Sequence, residues 1–477
     1  MPSSQITLEP QKPLQPGRDS FTVAIIGGGL AGLAAACALA ETGFRVTLFE
    51  RRPYLGGRAS SYEHPSTGEV VDNCQHVLFG LCTNLIALYK KIGIEGKIQW
   101  FDRMTFIEPG GRQSVLQPGL LPAPLHVSAS FLGFKFLNAW DKIVLARALS
   151  LLMVRDFPDD GSSFQDWLER HHQTQHAIER FWKPILVSAL SEDLDRIAVP
   201  YAAQVVRESM RSRGARTMGI PSVPLNGLYG AARDFITARA GAVHLRSGVQ
   251  SFAATEEGVK IRLQGSEDVH FNFAVIAVPF DSLAKLLPET AESRQLREKL
   301  SHFETSPITG VHLWFDRQIT DLPHAVLLDR TIQWMFHKSL LLNRDQNSGS
   351  YVELVISSSK SLIEKSRQQI IELALNEMRE FFPSARAAKI VKATVIKELN
   401  ATFSPKPGID RYRPGAKTPW SRVFLAGDWT ATGWPATMEG AVRSGYLAAE
   451  AMTAFAGSAR RFIVPDLPSG GLMRIFS

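Results

Sequence analysis

The clearest hydrophobic pattern stands near the start of the chain. Phe21-Thr22-Val23-Ala24-Ile25-Ile26 is apolar and rich in β-branched residues, which predicts a buried parallel strand. Gly27 to Gly32 follows at once. Leu33 to Glu41, rich in Ala and Leu, then predicts a helix that Gly43 ends, and Phe44 to Phe49 predicts a second strand finishing at Glu50. Val243–Val249, Lys260–Leu263, Ala274–Pro279 and Arg422–Asp428 read as further strands, and a helix opens near Met438 and runs through Ala451. Strands alternating with helices predict an α/β fold with a parallel sheet.

The first turn carries chemistry. Gly27, Gly29 and Gly32 fit G-x-G-x-x-G. Gly27 permits the tight turn, Gly29 lets a diphosphate approach the backbone, and Gly32 lets helix pack on strand. The N–H groups that open the helix, at Leu30 and Ala31, and the helix dipole favour an anion there. Glu50, eighteen residues beyond Gly32 and followed by Arg51, is placed to accept from adenosine ribose hydroxyls and would repel a 2′-phosphate. These elements in this order predict a dinucleotide site for FAD or NAD.

Two later segments favour FAD. Gly56-Gly57-Arg58 places two small residues and a planar cation six to eight residues past Glu50, a second diphosphate contact. Near the other end, the strand closing in Gly427-Asp428 offers a carboxylate to a ribityl chain. The helix starting at Met438 points its N-terminus at the place where a reduced flavin gathers charge. A nicotinamide needs neither. Val249 offers backbone groups to adenine.

These four blocks resemble the FAD-dependent amine oxidase and phytoene desaturase superfamily from about Thr22 to about Met452. Within it, Val71-Asp72-Asn73-Cys74-Gln75-His76-Val77-Leu78-Phe79-Gly80 and Gly433–Gly445 resemble the squalene-associated FAD-dependent desaturases, understood as hydroxysqualene dehydroxylases of squalene and hopanoid synthesis. The resemblance implies reductive removal of the hydroxyl of hydroxysqualene. Amine oxidases carry an aromatic residue just before Met-Glu-Gly-Ala; Thr437 stands there in this chain, which argues against an amine. No cysteine follows Cys82, so the flavin is expected to be noncovalent.

The expected architecture is an FAD-binding Rossmann-like (GR2-type) domain from residues 20–80, 227–279 and 406–455, interleaved with an α+β substrate-binding domain from 81–226 and 280–405. A flexible tail is expected at 1–19 and a C-terminal tail at 456–477. The greasy run Leu120 to Val154 reads either as a core helix with its approach, or as a surface helix at a membrane interface with Lys135, Lys142 and Arg147 near headgroups. Gln75 and His76 are candidates to line the substrate face of the flavin, where a departing hydroxyl needs a proton donor; a structural role is the alternative. Asp72 reads as a turn cap, with an electrostatic role as the alternative. A single dinucleotide fingerprint implies an external electron donor, either NAD(P)H or a reductase.

Composition adds exclusions. The net charge of +7 is spread along the chain, unlike the stripe of a nucleic-acid binder, and leaves room for peripheral contact with anionic lipid on the inner face of the cell membrane. Three cysteines without metal spacing suit a reducing cytoplasm, and no metal site is expected. Rival readings are an oxidative carotenoid or phytoene desaturase, an amine oxidase, and a prenyl-binding escort without flavin.

Overall fold

Five parallel strands organise the first lobe of the computed structural model, which describes residues 21–265, 267–344 and 349–475. The tail expected at 1–19 lies outside the described residues. Thr22–Ile26 is central, flanked by Arg45–Phe49 and Phe273–Ile276; Ala242–His244 and Val423–Leu425 form the edges. A three-stranded antiparallel sheet of Val249–Ala254, Val259–Leu263 and Val269–Phe271 packs beside it. This is the α/β arrangement that the strand–helix alternation predicts.

The Leu30–Glu41 helix is buried from Leu30 to Ala40. Its small side chains let the Met438–Phe455 helix approach closely: a Cβ on Gly445 would stand 2.2 Å from the Ala31 carbonyl oxygen. The ends of the sequence are thus packed helix against helix. Thr83–Lys91 joins the same core through Leu85, Leu88 and Tyr89, although the sequence assigned it to the second domain. Its N-terminal N–H groups explain the placement. Cys82 at the N-cap supplies no side-chain bond, and buried Glu439 accepts instead from the N–H groups of Asn84 (3.2 Å) and Leu85 (2.8 Å).

The second lobe centres on a seven-stranded sheet. Thr305–Phe315 pairs antiparallel with Ser350–Ser357 and Ile390–Phe403; Trp334–His337, His324–Leu327, Met104–Ile107 and Gln113–Leu116 continue the order. Side chains alternate across it. Val352 and Leu354 pack under the Arg367–Phe381 helix, whereas Val355 and Ser357 face a cavity beneath the helical layer. The segment 456–475, within the expected C-terminal tail, packs on the first lobe. Phe462 and Ile463 pack on the first core, the Val464 N–H donates to Asn84 Oδ1 (2.8 Å), and Asp466 pairs with Arg443.

The greasy run is partly buried and partly exposed. In the Ala139–Val154 helix, Val144, Leu145 and Leu152 are buried, while Trp140 and Ile143 stand exposed. Leu120, Leu121 and Leu132 are exposed nearby in sequence, Leu120 at 98%.

Gly445→Ala should cost about 1–3 kcal/mol, because a backbone carbonyl rather than a flexible side chain blocks the new methyl. Gly230→Ala, on an exposed helical site with nothing within 4 Å, should stabilise by about 0.5–1 kcal/mol. Urea denaturation of both variants checks the opposite signs.

Candidate active site

Hydrogen bonds of the first turn shape its nucleotide end. The Gly27 N–H donates to the Phe49 carbonyl (2.8 Å), and the Gly28 N–H to Glu50 Oε2 (2.7 Å). The Arg52 N–H reaches Glu50 Oε1 (2.8 Å), so both oxygens of this buried carboxylate are oriented yet keep lone pairs for further donors. A Cβ on Gly32 would lie 1.9 Å from the Gly27 carbonyl oxygen, and one on Gly57 would lie 2.9 Å from the Gly29 Cα. The Gly56–Gly57 turn therefore lies directly on the first turn, tied by Gly56 N–H to the Gly28 carbonyl (2.8 Å). Gly29 caps the helix without a side chain, so the N–H groups of its first turn, at Leu30, Ala31 and Gly32, are free of intrahelical partners.

The flavin-end candidates converge on the same place. Arg58 Nη2 pairs with Asp428 Oδ1 at 2.5 Å, and Arg58 Nη1 donates to the Ala401 carbonyl (2.9 Å). Residues expected at the diphosphate and at the ribityl chain thus neutralise one another. Gly427 donates to Ser444 Oγ (2.7 Å), and Met438 opens its helix with Thr437 as cap, Oγ1 accepting from the Gly440 N–H (3.0 Å). Arg413, which the sequence reading missed, shapes the connecting loop: Nη2 donates to the carbonyls of Asp428 (3.0 Å) and Trp434 (2.8 Å).

One cavity of about 900 Å³ runs past the first glycine turn, Glu50, the Gly56–Arg58 turn, Gly427, Asp428 and Met438. Gly29, Glu50, Arg51 and Val249, the candidates for the nucleotide, line it, as do Arg58, expected at the diphosphate, and Gly427, Asp428 and Met438, expected at the flavin end. The remainder is largely apolar, with Phe131, Leu149, Met153, Phe181, Ile185 and Val355 in the wall. An extended dinucleotide fits the first stretch: free helix-start N–H groups for a diphosphate, a carboxylate for ribose, and a glycine contact that admits no side chain.

Gln75 and His76 face this cavity. His76 Nδ1 lies 2.8 Å from the Cys74 carbonyl oxygen, which only accepts, so Nδ1 carries the proton and Nε2 is an acceptor. Burial lowers the His76 pKa, and the ring is neutral near pH 7. It offers a lone pair rather than a ready proton. Gln75 Nε2 donates to the His76 carbonyl (3.0 Å), and its Oε1 accepts from Lys338 Nζ (2.8 Å).

Lys338 leads to a buried charged cluster with no sequence signal. Its Nζ lies 2.6 Å from Asp72 Oδ2 and 3.5 Å from Glu353 Oε2, all three side chains being almost wholly enclosed. Asp72 is therefore an ion-pair partner rather than a turn cap; Ser61 Oγ (2.5 Å) and the Leu225 N–H (3.2 Å) complete its bonds. Burial pushes its pKa up, but Lys338 and these donors bring it below the usual carboxylate range. For Glu353, burial dominates and raises the pKa to about 8, so it is protonated at neutral pH and the cluster carries no net charge.

Comparison with known proteins now identifies the family. The profile of flavin-containing amine oxidoreductases matches residues 30–453. The chain belongs to this family. It is an FAD-dependent oxidoreductase. It is 27% identical over 454 residues to the 15-cis-phytoene desaturase of Synechococcus elongatus, covering 91% of this chain and 96% of that protein. It is 27% identical over 484 residues to the chloroplastic/chromoplastic zeta-carotene desaturase of Zea mays, covering 92% and 84%. A solved putrescine oxidase bound to putrescine shares the fold with TM-score 0.70 at 17% identity, covering 92% of this chain and 98% of that one. Within this family, FAD is the group for which the cradle above is shaped.

The Glu353 proton has a measurable sign. Its folded pKa of about 8 lies above the ordinary 4.5, so its stabilising contribution is complete below about pH 4.5 and is lost as pH rises through about 8. Glu353→Gln removes that dependence. The variant's stability relative to wild type should rise by more than about 1 kcal/mol between about pH 5 and about pH 8.5. Parallel denaturation profiles would contradict the assignment.

Proposed function

We propose that this flavoenzyme acts on a long apolar isoprenoid, most specifically by reductive dehydroxylation of hydroxysqualene to squalene. The observation that carries the substrate class is the continuity of the FAD cradle with a long, mostly apolar cavity. The position just before Met438 carries Thr437, engaged as a helix cap, rather than the aromatic residue expected beside an amine.

The choice of reaction rests on two segments. Val71–Gly80 and Gly433–Gly445 resemble hydroxysqualene dehydroxylases, and both contribute residues to the cavity wall, Gln75, His76, Trp434 and Met438 among them. Reduced FAD supplies a hydride in such a reaction, and the hydroxyl leaves as water with one added proton. His76 Nε2 is placed to accept a hydrogen bond from a substrate hydroxyl and orient it; Gln75 fixes the His76 backbone. The incoming electrons come from a nicotinamide or a reductase docking from outside. The second reading is oxidative desaturation. It is supported more directly by the named relatives, which are carotenoid desaturases, and by His76 itself, since a neutral imidazole with a free lone pair suits proton removal.

Anaerobic single turnovers separate the two. Reduced enzyme with hydroxysqualene should give squalene and oxidised flavin in about equal amounts, and oxidised enzyme with phytoene should give no product. The reverse pattern selects the desaturase reading.

A poorly soluble substrate also favours peripheral contact with the membrane. No helix among the described residues is long and apolar enough to cross one. Leu132 and Trp140 stand 67% and 62% exposed, with Lys135 and Lys142 close in sequence, while Phe131, next to Leu132 in the short helix Ser128–Leu132, lines the cavity. Replacing Leu120, Leu121, Leu132 and Trp140 by Ser should shift the protein from the vesicle-bound to the free fraction in liposome flotation by about tenfold or more. Unchanged flotation would contradict this contact.

A further inference from the structure

Reductive dehydroxylation needs a proton at the departing oxygen, and His76 does not supply it: its ring is neutral and its Nδ1 proton is given to the Cys74 carbonyl. Carboxyl groups are the other acids in the cavity wall, at Glu50, Glu208, Glu398, Asp428 and Glu439. Three of these are engaged elsewhere. Glu50 accepts from the Gly28 and Arg52 N–H groups, and Asp428 pairs with Arg58. Glu439 accepts from the N–H groups of Asn84 and Leu85 and from Arg443 Nε (2.7 Å). Half-buried Glu398 stands on the edge strand Ile390–Phe403, beside exposed Leu399 and Asn400.

Glu208 is placed differently. It lies in the last turn of the helix Val199–Met210, where Val205, Val206 and Met210 line the cavity with it, and its side chain is only 14% exposed. Arg211 Nη2 donates to Oε1 (2.7 Å) and so steers the carboxyl group; among the described residues no group bonds Oε2. Two anchors set this helix against the reacting end of the cavity. One turn before Glu208, Gln204 Nε2 donates to the Gly433 carbonyl (2.7 Å), in the loop that leads to Met438. Just beyond the helix, the carbonyls of Thr217 and Ala215 accept from the N–H groups of Gly80 (2.9 Å) and Leu81 (3.3 Å), on the segment that carries Gln75 and His76. The helix that bears Glu208 thus bridges the flavin-end loop and the His76 segment.

We propose that Glu208 is the catalytic acid that protonates the departing hydroxyl, an inference that rests on the reductive reading. The hydroxyl donates its own hydrogen to His76 Nε2, which leaves its oxygen lone pairs open to Glu208 Oε2–H. As the C–O bond breaks, the oxygen takes the Glu208 proton and leaves as water, and the carbon takes the hydride that reduced FAD supplies. The carboxylate left behind is stabilised by Arg211. Burial raises the Glu208 pKa; Arg211 and Arg443 offset part of that rise, and Asp466 adds to it. A hydrocarbon chain in the cavity strips water from Oε2 and favours the neutral acid further.

The test compares two substrates in anaerobic single turnovers of reduced, FAD-loaded protein: hydroxysqualene and its trifluoroacetate ester, whose leaving group departs as an anion and needs no proton. Glu208→Gln should slow hydroxysqualene by about 100-fold or more and the ester by less than about threefold. Hydroxysqualene should bind oxidised, unreactive protein with a Kd within about threefold of wild type, since the amide still offers a hydrogen bond. Glu398→Gln should leave both rates within about threefold of wild type. Full hydroxysqualene turnover in Glu208→Gln overturns the proposal, as does equal loss of both substrates, or the selective loss appearing in Glu398→Gln instead. Wild type that reduces the ester but not hydroxysqualene overturns the proposal alone; wild type that reduces neither overturns the reductive reading and the proposal with it. Should Glu208→Gln fail to fold, the wild-type pH profile decides. The hydroxysqualene rate should fall as pH rises through the Glu208 pKa, by about tenfold per pH unit above it, while the ester rate stays flat; parallel profiles overturn the proposal.

Discussion

Arg58 and Asp428 are 370 residues apart in sequence and 2.5 Å apart in space. Their ion pair joins the first and last parts of the cofactor cradle, and the helices that follow the two glycine-bearing strand ends pack closely on one another. The small residues of Leu30–Glu41 and the glycine at 445 let the helices meet. From that contact follow the position of Met438 at the flavin end, the register of Val423–Leu425 beside Phe273–Ile276, and the wall shared by cofactor and substrate. A shift of either helix by one methyl group would open the seam where the flavin belongs.

A second constraint acts behind the substrate face. Lys338, paired with Asp72 beside protonated Glu353, donates to the side-chain oxygen of Gln75, and Gln75 in turn donates to the His76 carbonyl. Buried charges are costly, yet here their sum is zero and each of Lys338 and Asp72 has several partners. The arrangement places a neutral imidazole acceptor beside an apolar chamber. That combination suits a reaction in which water is excluded and a single polar group of the substrate is recognised.

Much of the cofactor half was legible in the sequence because its signals are local. Strand, glycine turn, helix and terminal Glu50 follow one another within thirty residues, and each has a steric or electrostatic reason to be where it is. The Gly427-Asp428 strand end is equally compact. Glu439 and Lys338 left no such trace, since each acts on groups hundreds of residues away along the chain, and Arg413 bonds loop carbonyls that carry no side-chain signal. Glu439 illustrates the difficulty: it caps a helix 355 residues away, and so draws Thr83–Lys91 into the nucleotide lobe against the sequence assignment. The greasy run 120–154 could not be resolved by periodicity because it is split, one face buried and the other exposed.

The central claim is that the cofactor cradle and the apolar chamber are a single space. Titration of the FAD-loaded protein with squalane, an inert chain of the right length, tests it through the visible absorbance of the bound flavin. The account predicts a band shift that saturates near one equivalent and disappears when Val355 is replaced by Trp to fill the chamber. Squalane binding that leaves the flavin spectrum untouched would contradict it.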